Sequence, residues 1–167
     1  MERGLIVGIC GSLHGKASNC YRLLSRALIA TKVKTETIIL SENFSTPLIQ
    51  KKLIKASGLI IATPTHWFNC SILIKRLIDE TFWDFAKEPY ALEDMPVGII
   101  AVCNEDGANQ AIASIAMPLS HCGLFVPPFA TLIHNTRIPT HGENGWQDDA
   151  ELIGKQVASY LKEPPNE

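Results

Sequence analysis

The chain has 167 residues, 46% of them hydrophobic and 19% charged, with a formal net charge of −2; this balance excludes global disorder and leaves no basic footprint for nucleic acid. One domain is expected at this length, over residues 1–162 with 163–167 as a frayed tail, and no apolar run approaches the ~18 residues of a membrane span. Strand and helix patterns then alternate along the chain. The apolar run Leu5–Cys10 reads as a buried strand, followed by a loop of small and hydroxyl-bearing residues. A helix over about 20–31 carries Leu24, Ala27, Leu28 and Thr31 on one stripe. The second strand, about 35–40, is the most polar of the set and suits an outer position. Thr46 as cap and Pro47 at the first turn start the second helix. The third strand is 58–63, stopped by Pro64. A helix over about 71–82 turns Leu73, Leu77, Ile78 and Phe82 inward and Lys75, Arg76, Asp79 and Glu80 outward. Val97–Cys103 is the fourth strand. The fourth helix, Ala108–His121, has Ile112, Ile115, Ala116 and Leu119 as its core stripe, a kink at Pro118 and a stop at Gly123. The fifth strand lies in 124–126 with a continuation near 131–133. A last helix, about 149–162, opens on Asp148-x-x-Glu151 as a cap-like start.

Five short apolar strands separated by helices predict a doubly wound α/β fold, a parallel sheet covered on both faces in three α/β/α layers. The strand order that suits it is 2-1-3-4-5. Ligands then sit outside the carboxyl ends of strands 1 and 3, where the winding reverses. The loops after strands 1, 3 and 4 must therefore look jointly like a site, and they do. The first loop leads into a helix N-terminus, whose unpaired N–H groups and positive dipole end suit an anion, with Ser12, Ser18 and Asn19 as added hydrogen-bonding groups. After strand 3 come Pro64, Thr65, His66, Trp67, Phe68 and Asn69, whose aromatics are candidates for stacking on a planar ring. After strand 4 come Asn104, Glu105, Asp106 and Gly107, where the glycine allows close backbone approach. A phosphate anchor beside an aromatic-walled slot is what a flavin mononucleotide requires.

Gly11-Ser12 with Ser18-Asn19, the run Pro64-Thr-His-Trp-Phe-Asn-Cys-Ser71 with Lys75 and Asp79, and Asn104-Glu-Asp-Gly107 together resemble the NAD(P)H-dependent FMN reductase family of flavodoxin-like oxidoreductases, over about residues 4–128. The resemblance implies a flavodoxin-like fold, bound FMN, and NADPH or NADH as co-substrate. It further implies a homodimer or homotetramer and a small-molecule electron acceptor such as a quinone, flavin, azo or nitro compound or metal ion, while the scattered cysteines point to a cytoplasmic setting. By the same resemblance Ser12, Ser18, Asn19 and Cys20 surround the FMN phosphate, with His14 or Lys16 where the family often has arginine. Pro64, Thr65, His66, Trp67 and Phe68 line the isoalloxazine and ribityl chain; His66 stands where tyrosine or asparagine is usual. Asn104, Glu105, Asp106 and Gly107 approach the pyrimidine side, with backbone N–H groups around Gly107 as candidate stabilisers of negative charge there. The short segment 41–45 lacks the cysteine-rich insertion of some relatives. Hydride chemistry belongs to the cofactor, so no catalytic side chain is assigned.

Plainer readings stand beside these. Ser18 and Asn19 also read as a helix cap, Trp67 and Phe68 as a dimer anchor, Lys75 and Asp79 as a solvated i,i+4 pair. Glu105 and Asp106 also suit a helix start through its dipole. His14, His121, His134 and His141 lack metal-ligand spacing, and the five scattered cysteines point to a reducing compartment and to no metal. Residues 10–17 miss the triphosphate-binding pattern, having Cys10 and Ala17 where glycine and a hydroxyl are needed. Gly8, Gly11 and Gly15 depart from the dinucleotide fingerprint, and Ser12 lacks the glycine flanks of a hydrolase nucleophile. From another class, a flavodoxin-type electron carrier without enzymatic activity fits the same elements.

Overall fold

The apolar run Leu5–Cys10 forms strand β1 at the heart of the sheet. In this computed structural model, which describes residues 4–88, 91–138 and 145–161, β1 pairs in parallel with β2 (Lys34–Ile39) on one side and β3 (Gly58–His66) on the other. β5 (Val97–Cys103) follows β3, and β6 (Thr131–Asn135) closes the far edge, both parallel. The short β4 (Asn69–Cys70) folds back antiparallel on the end of β3. Counting the parallel strands alone, the order is the expected 2-1-3-4-5, and the polar β2 lies at an edge.

Strand side chains alternate between two cores. Val7 and Ile9 meet Ile49 and Leu53 of α2 (Thr46–Ile54), Ile74 and Leu77 of α3 (Ile72–Leu77), and Ile115 and Leu119 of α5 (Ala108–His121). Ile6 and Cys10 meet Leu23, Leu24 and Ala27 of α1 (Asn19–Ala30) and Ala150, Ile153 and Val157 of α6 (Gly145–Ser159). Burial on both sides is why β1, β3 and β5 read as unbroken apolar runs. The stop after α5 is as expected: Gly123 adopts φ +91 and donates its N–H to Ser120 O (3.1 Å), while the Leu124 N–H reaches Leu119 O (3.1 Å). That pair of bonds is a Schellman closure.

Five boundaries differ from the sequence expectation. Ser45, and not Thr46, is the N-cap residue of α2, and its side chain makes no capping bond; the Thr46 hydroxyl goes instead to Glu80 (3.4 Å). β3 runs on through Pro64 to His66. The Leu59 N–H donates toward β5, at Pro96 O (3.0 Å), so even-numbered residues of β3 face β1, whose last residue, Cys10, lies opposite Ala62. The missing N–H of Pro64 thus points where no ladder remains. α3 does not end at Phe82 but passes through a π-helical turn, Ile78–Phe82, into α4 (Trp83–Lys87). Its outer face carries the surface ion pairs Lys75–Asp79 and Arg76–Glu80. The fifth parallel strand is Thr131–Asn135; within 124–126 only Phe125 bridges, to Pro96. Pro127 and Pro128 withhold donors there and Phe129 turns at φ 60. α6 begins at Gly145, so Asp148 lies in its first turn and Glu151 within the helix, where Glu151 pairs with Arg26 (3.3 Å). His141, Lys162 and 163–167 lie outside the described residues. Among the described residues, all five cysteines are free and buried, and no helix is long and apolar enough to cross a membrane.

Candidate functional site

At the carboxyl edge of β1, β3 and β5 a crevice of about 330 Å³ is lined by Ser12, His14, Ala17, Ser18, Asn19, Cys20, Pro64, Thr65, His66, Val102, Cys103, Asn104 and Thr136. Nine of the fourteen residues singled out in the sequence meet there; Trp67, Phe68, Glu105, Asp106 and Gly107 do not line it. None of the lining side chains is a carboxylate, a composition that suits an anionic occupant.

One end is built by the β1–α1 loop. Beyond Cys10 the Gly11 N–H donates to Ala62 O (2.8 Å), a single 3-10 turn follows at Gly15–Ala17, and Ser18 caps α1. The Ser18 hydroxyl accepts from the Tyr21 N–H (3.1 Å) and donates to Gly15 O (2.7 Å). Its proton is spent, so the capping role accounts for this side chain. Ser12, only 3% exposed, accepts from the His14 N–H (3.2 Å) and keeps its own proton for another acceptor. Asn19 and Cys20 occupy the first turn of α1, where N–H groups have no intrahelical acceptor. Burial pushes the Cys20 thiol up to about 12, and burial also raises Cys10. Both therefore stay uncharged beside the anion-seeking amides.

The middle of the crevice is the β3–β4 hairpin. Pro64, Thr65 and His66 line it, and the Thr65 Oγ1 is buried without a hydrogen-bond partner. Trp67 (φ 48) and Phe68 (φ 62) are the two turn residues, both left-handed, a geometry that hairpins usually give to Asn and Gly. The turn leaves Trp67 95% exposed at the rim. Phe68 covers Gly107 instead: a Cβ at Gly107 would lie 2.8 Å from Phe68 Cα and 3.0 Å from its ring. What approaches Gly107 closely is the neighbouring hairpin. Behind the hairpin Ser71 ties the site together, its hydroxyl donating to Gly11 O (2.6 Å) and accepting from the Ile74 N–H (3.2 Å) while its N–H donates to Thr63 Oγ1 (3.0 Å).

The other end adds a fourth loop that carried no sequence signal, because the expected fifth strand lay mainly upstream of it. The Thr136 N–H donates to Cys103 O (2.9 Å) and its hydroxyl to Asn104 Oδ1 (2.6 Å). Asn135 Nδ2 donates to Glu105 O (2.8 Å), and Arg137 pairs with the Glu105 carboxylate. The Gly107 N–H, expected to face a ligand, donates to Asp106 Oδ1 (2.6 Å) and is already satisfied. Glu105 and Asp106 thus organise loops and do not contact the crevice.

On the flank between β6 and α6, burial lowers the pKa of His134 from 6.5, with the Arg22 charge adding to the effect. A depressed histidine binds its proton more weakly folded than unfolded, so stability is full above pH 6.5 and declines as the pH falls below it. Urea midpoints measured from pH 7.5 to 5 are expected to show that decline, and His134→Gln to flatten it.

A family model described as NADPH-dependent FMN reductase matches residues 5–136. No curated protein matches the chain in sequence. Among solved structures, the fold is similar to RosB with its bound intermediate OHC-RP (8-demethyl-8-formylriboflavin-5'-phosphate), with a TM-score of 0.78 at 15% identity over 94% of this chain and 78% of that one. It is similar to the apo form of the NADH:FMN oxidoreductase EMOB, with a TM-score of 0.75 at 16% identity over 97% and 92%. A WrbA-like flavodoxin from Agrobacterium tumefaciens gives 0.74 at 15% identity over 93% and 96%. At these identities the likeness is one of fold.

Proposed function

The chain belongs to the NADPH-dependent FMN reductase family, and from that membership and the crevice we propose that it takes a hydride from NADPH or NADH onto FMN and passes the electrons to a small acceptor. The supporting observation is the Thr65 Oγ1, a buried hydroxyl without a partner in a crevice whose far end offers unpaired helix N–H groups. An unmet buried polar group costs about 1–3 kcal/mol, which a polar ligand edge would recover. The residues present fit FMN in chemistry, with amide and hydroxyl donors at one end and the unpartnered Thr65 hydroxyl in the middle.

FMN, when bound, supplies hydride acceptance and electron release, chemistry that needs no protein acid or base. The chain's own groups bind and orient. The N–H groups of Asn19 and Cys20, the Ser12 hydroxyl and His14 hold the terminal phosphate. Pro64, Thr65 and His66 shape the ring and ribityl wall, and Asn104, oriented by Thr136, closes the opposite side. Trp67 stands exposed at the mouth, where a quinone, a second flavin, an azo or nitro compound or a chelated metal ion would arrive. The proposed setting is cytoplasmic, as a homodimer or homotetramer; light scattering on the purified protein reads the assembly.

The deciding experiment is the visible spectrum of the FMN-loaded protein during anaerobic addition of NADPH and then NADH. Bleaching of the flavin by either supports a reductase; an FMN-loaded protein that neither bleaches is an electron carrier. Ser12→Ala is expected to raise the Kd for FMN about tenfold, the worth of one charge-assisted hydrogen bond. Ser18→Ala is expected to act mainly on stability, by about 1–2 kcal/mol through the lost cap. An unchanged FMN Kd in Ser12→Ala would remove Ser12 from the phosphate site.

A further inference from the structure

Asn19 lines the crevice, and its side-chain oxygen is already engaged by a residue that does not. Arg22 Nη1 donates to Asn19 Oδ1 at 3.1 Å. A guanidinium has donors only, so the oxygen of Asn19 must be the atom that faces Arg22, and the amide NH2 is the end left for another acceptor. Arg22 is itself held: its guanidinium carbon sits 5.0 Å from the centroid of the Trp146 ring, in the first turn of α6. His134 of β6 packs against the same indole, at 5.9 Å between ring centroids. The neighbouring Arg26 binds α6 as well, through Gln147 (3.0 Å) and Glu151 (3.3 Å), which keeps the α1 and α6 faces in register. No acidic residue lies in the first turn of α1, so Arg22 adds its charge to the positive end of the helix dipole, a costly arrangement unless an anion is near.

We propose that Trp146 and Arg22 are positioning residues that aim the Asn19 amide donors at the terminal phosphate of FMN, so that the chain selects the phosphorylated flavin over riboflavin. The inference rests on the proposed FMN site. It extends that site to two residues on a face outside the crevice, neither of which touches the ligand. The physical content is an amide flip: with Arg22 present Asn19 offers N–H to the crevice, and without it either end of the amide can face inward, the oxygen repelling a dianion.

The test titrates FMN and riboflavin separately into the flavin-free full chain, read by quenching of flavin fluorescence, for the parent, Arg22→Leu, Arg22→Lys and Asn19→Asp. The parent is expected to bind FMN at least about tenfold more tightly than riboflavin. Arg22→Leu should weaken FMN about fivefold to tenfold and leave riboflavin within about twofold, while Arg22→Lys, still a donor, restores most of the difference. Asn19→Asp should be as stable as the parent or more so, because a carboxylate at that place pairs with Arg22 and suits the helix dipole. It should nonetheless lose about thirtyfold or more in FMN affinity through like-charge repulsion. Equal loss for both flavins in Arg22→Leu would mean a merely structural role, and a folded Asn19→Asp chain with parental FMN affinity would overturn the proposal even if Arg22→Leu failed to fold. A parent that binds FMN no better than riboflavin, or binds neither, overturns the FMN site itself and the inference with it.

Discussion

Gly154→Ala is expected to lower the free energy of unfolding by about 3 kcal/mol or more, although alanine is the better helix former by about 1 kcal/mol. A Cβ at Gly154 would lie 1.9 Å from Ala27 O, 2.8 Å from Ala27 C and 3.2 Å from Ala27 Cα. These are backbone atoms of α1, not the tip of a side chain that can swing aside. The two helices would have to separate by more than 1 Å to reach van der Waals distance from that oxygen, opening the core formed by Leu23, Leu24, Ala27, Ile153 and Val157. Sterics therefore outweigh propensity. The same separation pulls Trp146 away from Arg22, so a lost preference for FMN over riboflavin should accompany the lost stability. Urea denaturation of the variant reads the first effect, and a midpoint at or above that of the parent would show that α1 and α6 do not touch backbone to backbone.

Gly107→Ala is expected to cost about 2–5 kcal/mol and to reduce the flavin retained on purification. Two effects add. Gly107 sits at φ +87, where an L-residue pays about 1–2 kcal/mol. The new methyl would also press on Phe68, whose Cα is 2.8 Å and whose ring is 3.0 Å away, adding an overpacking cost of about 1–3 kcal/mol. Phe68 cannot yield freely, because it and Trp67 already hold left-handed backbone at φ 62 and φ 48. The strain passes to the hairpin that carries Thr65 and His66 into the crevice. Adding Phe68→Gly should restore only the part due to the ring, since the nearest atom is the Phe68 Cα. Thermal unfolding together with the ratio of flavin to protein absorbance checks both effects; a variant with parental values would show that the hairpin and the start of α5 are not in contact.

The positions that were legible in the sequence share a local cause. Leu5–Cys10 and Val97–Cys103 are legible because a strand buried on both faces is an apolar run, here ended by Gly4 and Gly11 and by Pro96 and Asn104. The end of Ala108–His121 is legible from Gly123, a glycine at φ +91 just past the helix. The β1–α1 loop is recognisable because small hydroxyl residues before a helical pattern have few other uses, and four of its residues line the crevice together with Asn19 and Cys20 of α1. The misses also share a cause. Pro64 breaks a strand only if a ladder bond is needed on its nitrogen side, and that depends on where β1 ends. Asp148 and Glu151 read as the start of α6, whereas Glu151 serves Arg26 of another helix. Gly107 reads as open to a ligand in the sequence, whereas in the fold Phe68 packs over it.

Local pattern by itself determined the alternation of strands and helices, the two-sided burial of the sheet and the three loops gathered at its carboxyl edge, because side-chain periodicity and helix capping act over a few residues. Only the tertiary structure decided which donors remain unspent at that edge, that Thr136 joins it, and that Trp146 and Arg22 stand behind Asn19. Hydrogen-bond completion and close packing are set by partners as far apart as Arg26 and Gln147, 121 residues distant along the chain, and no local pattern encodes a partner at such range.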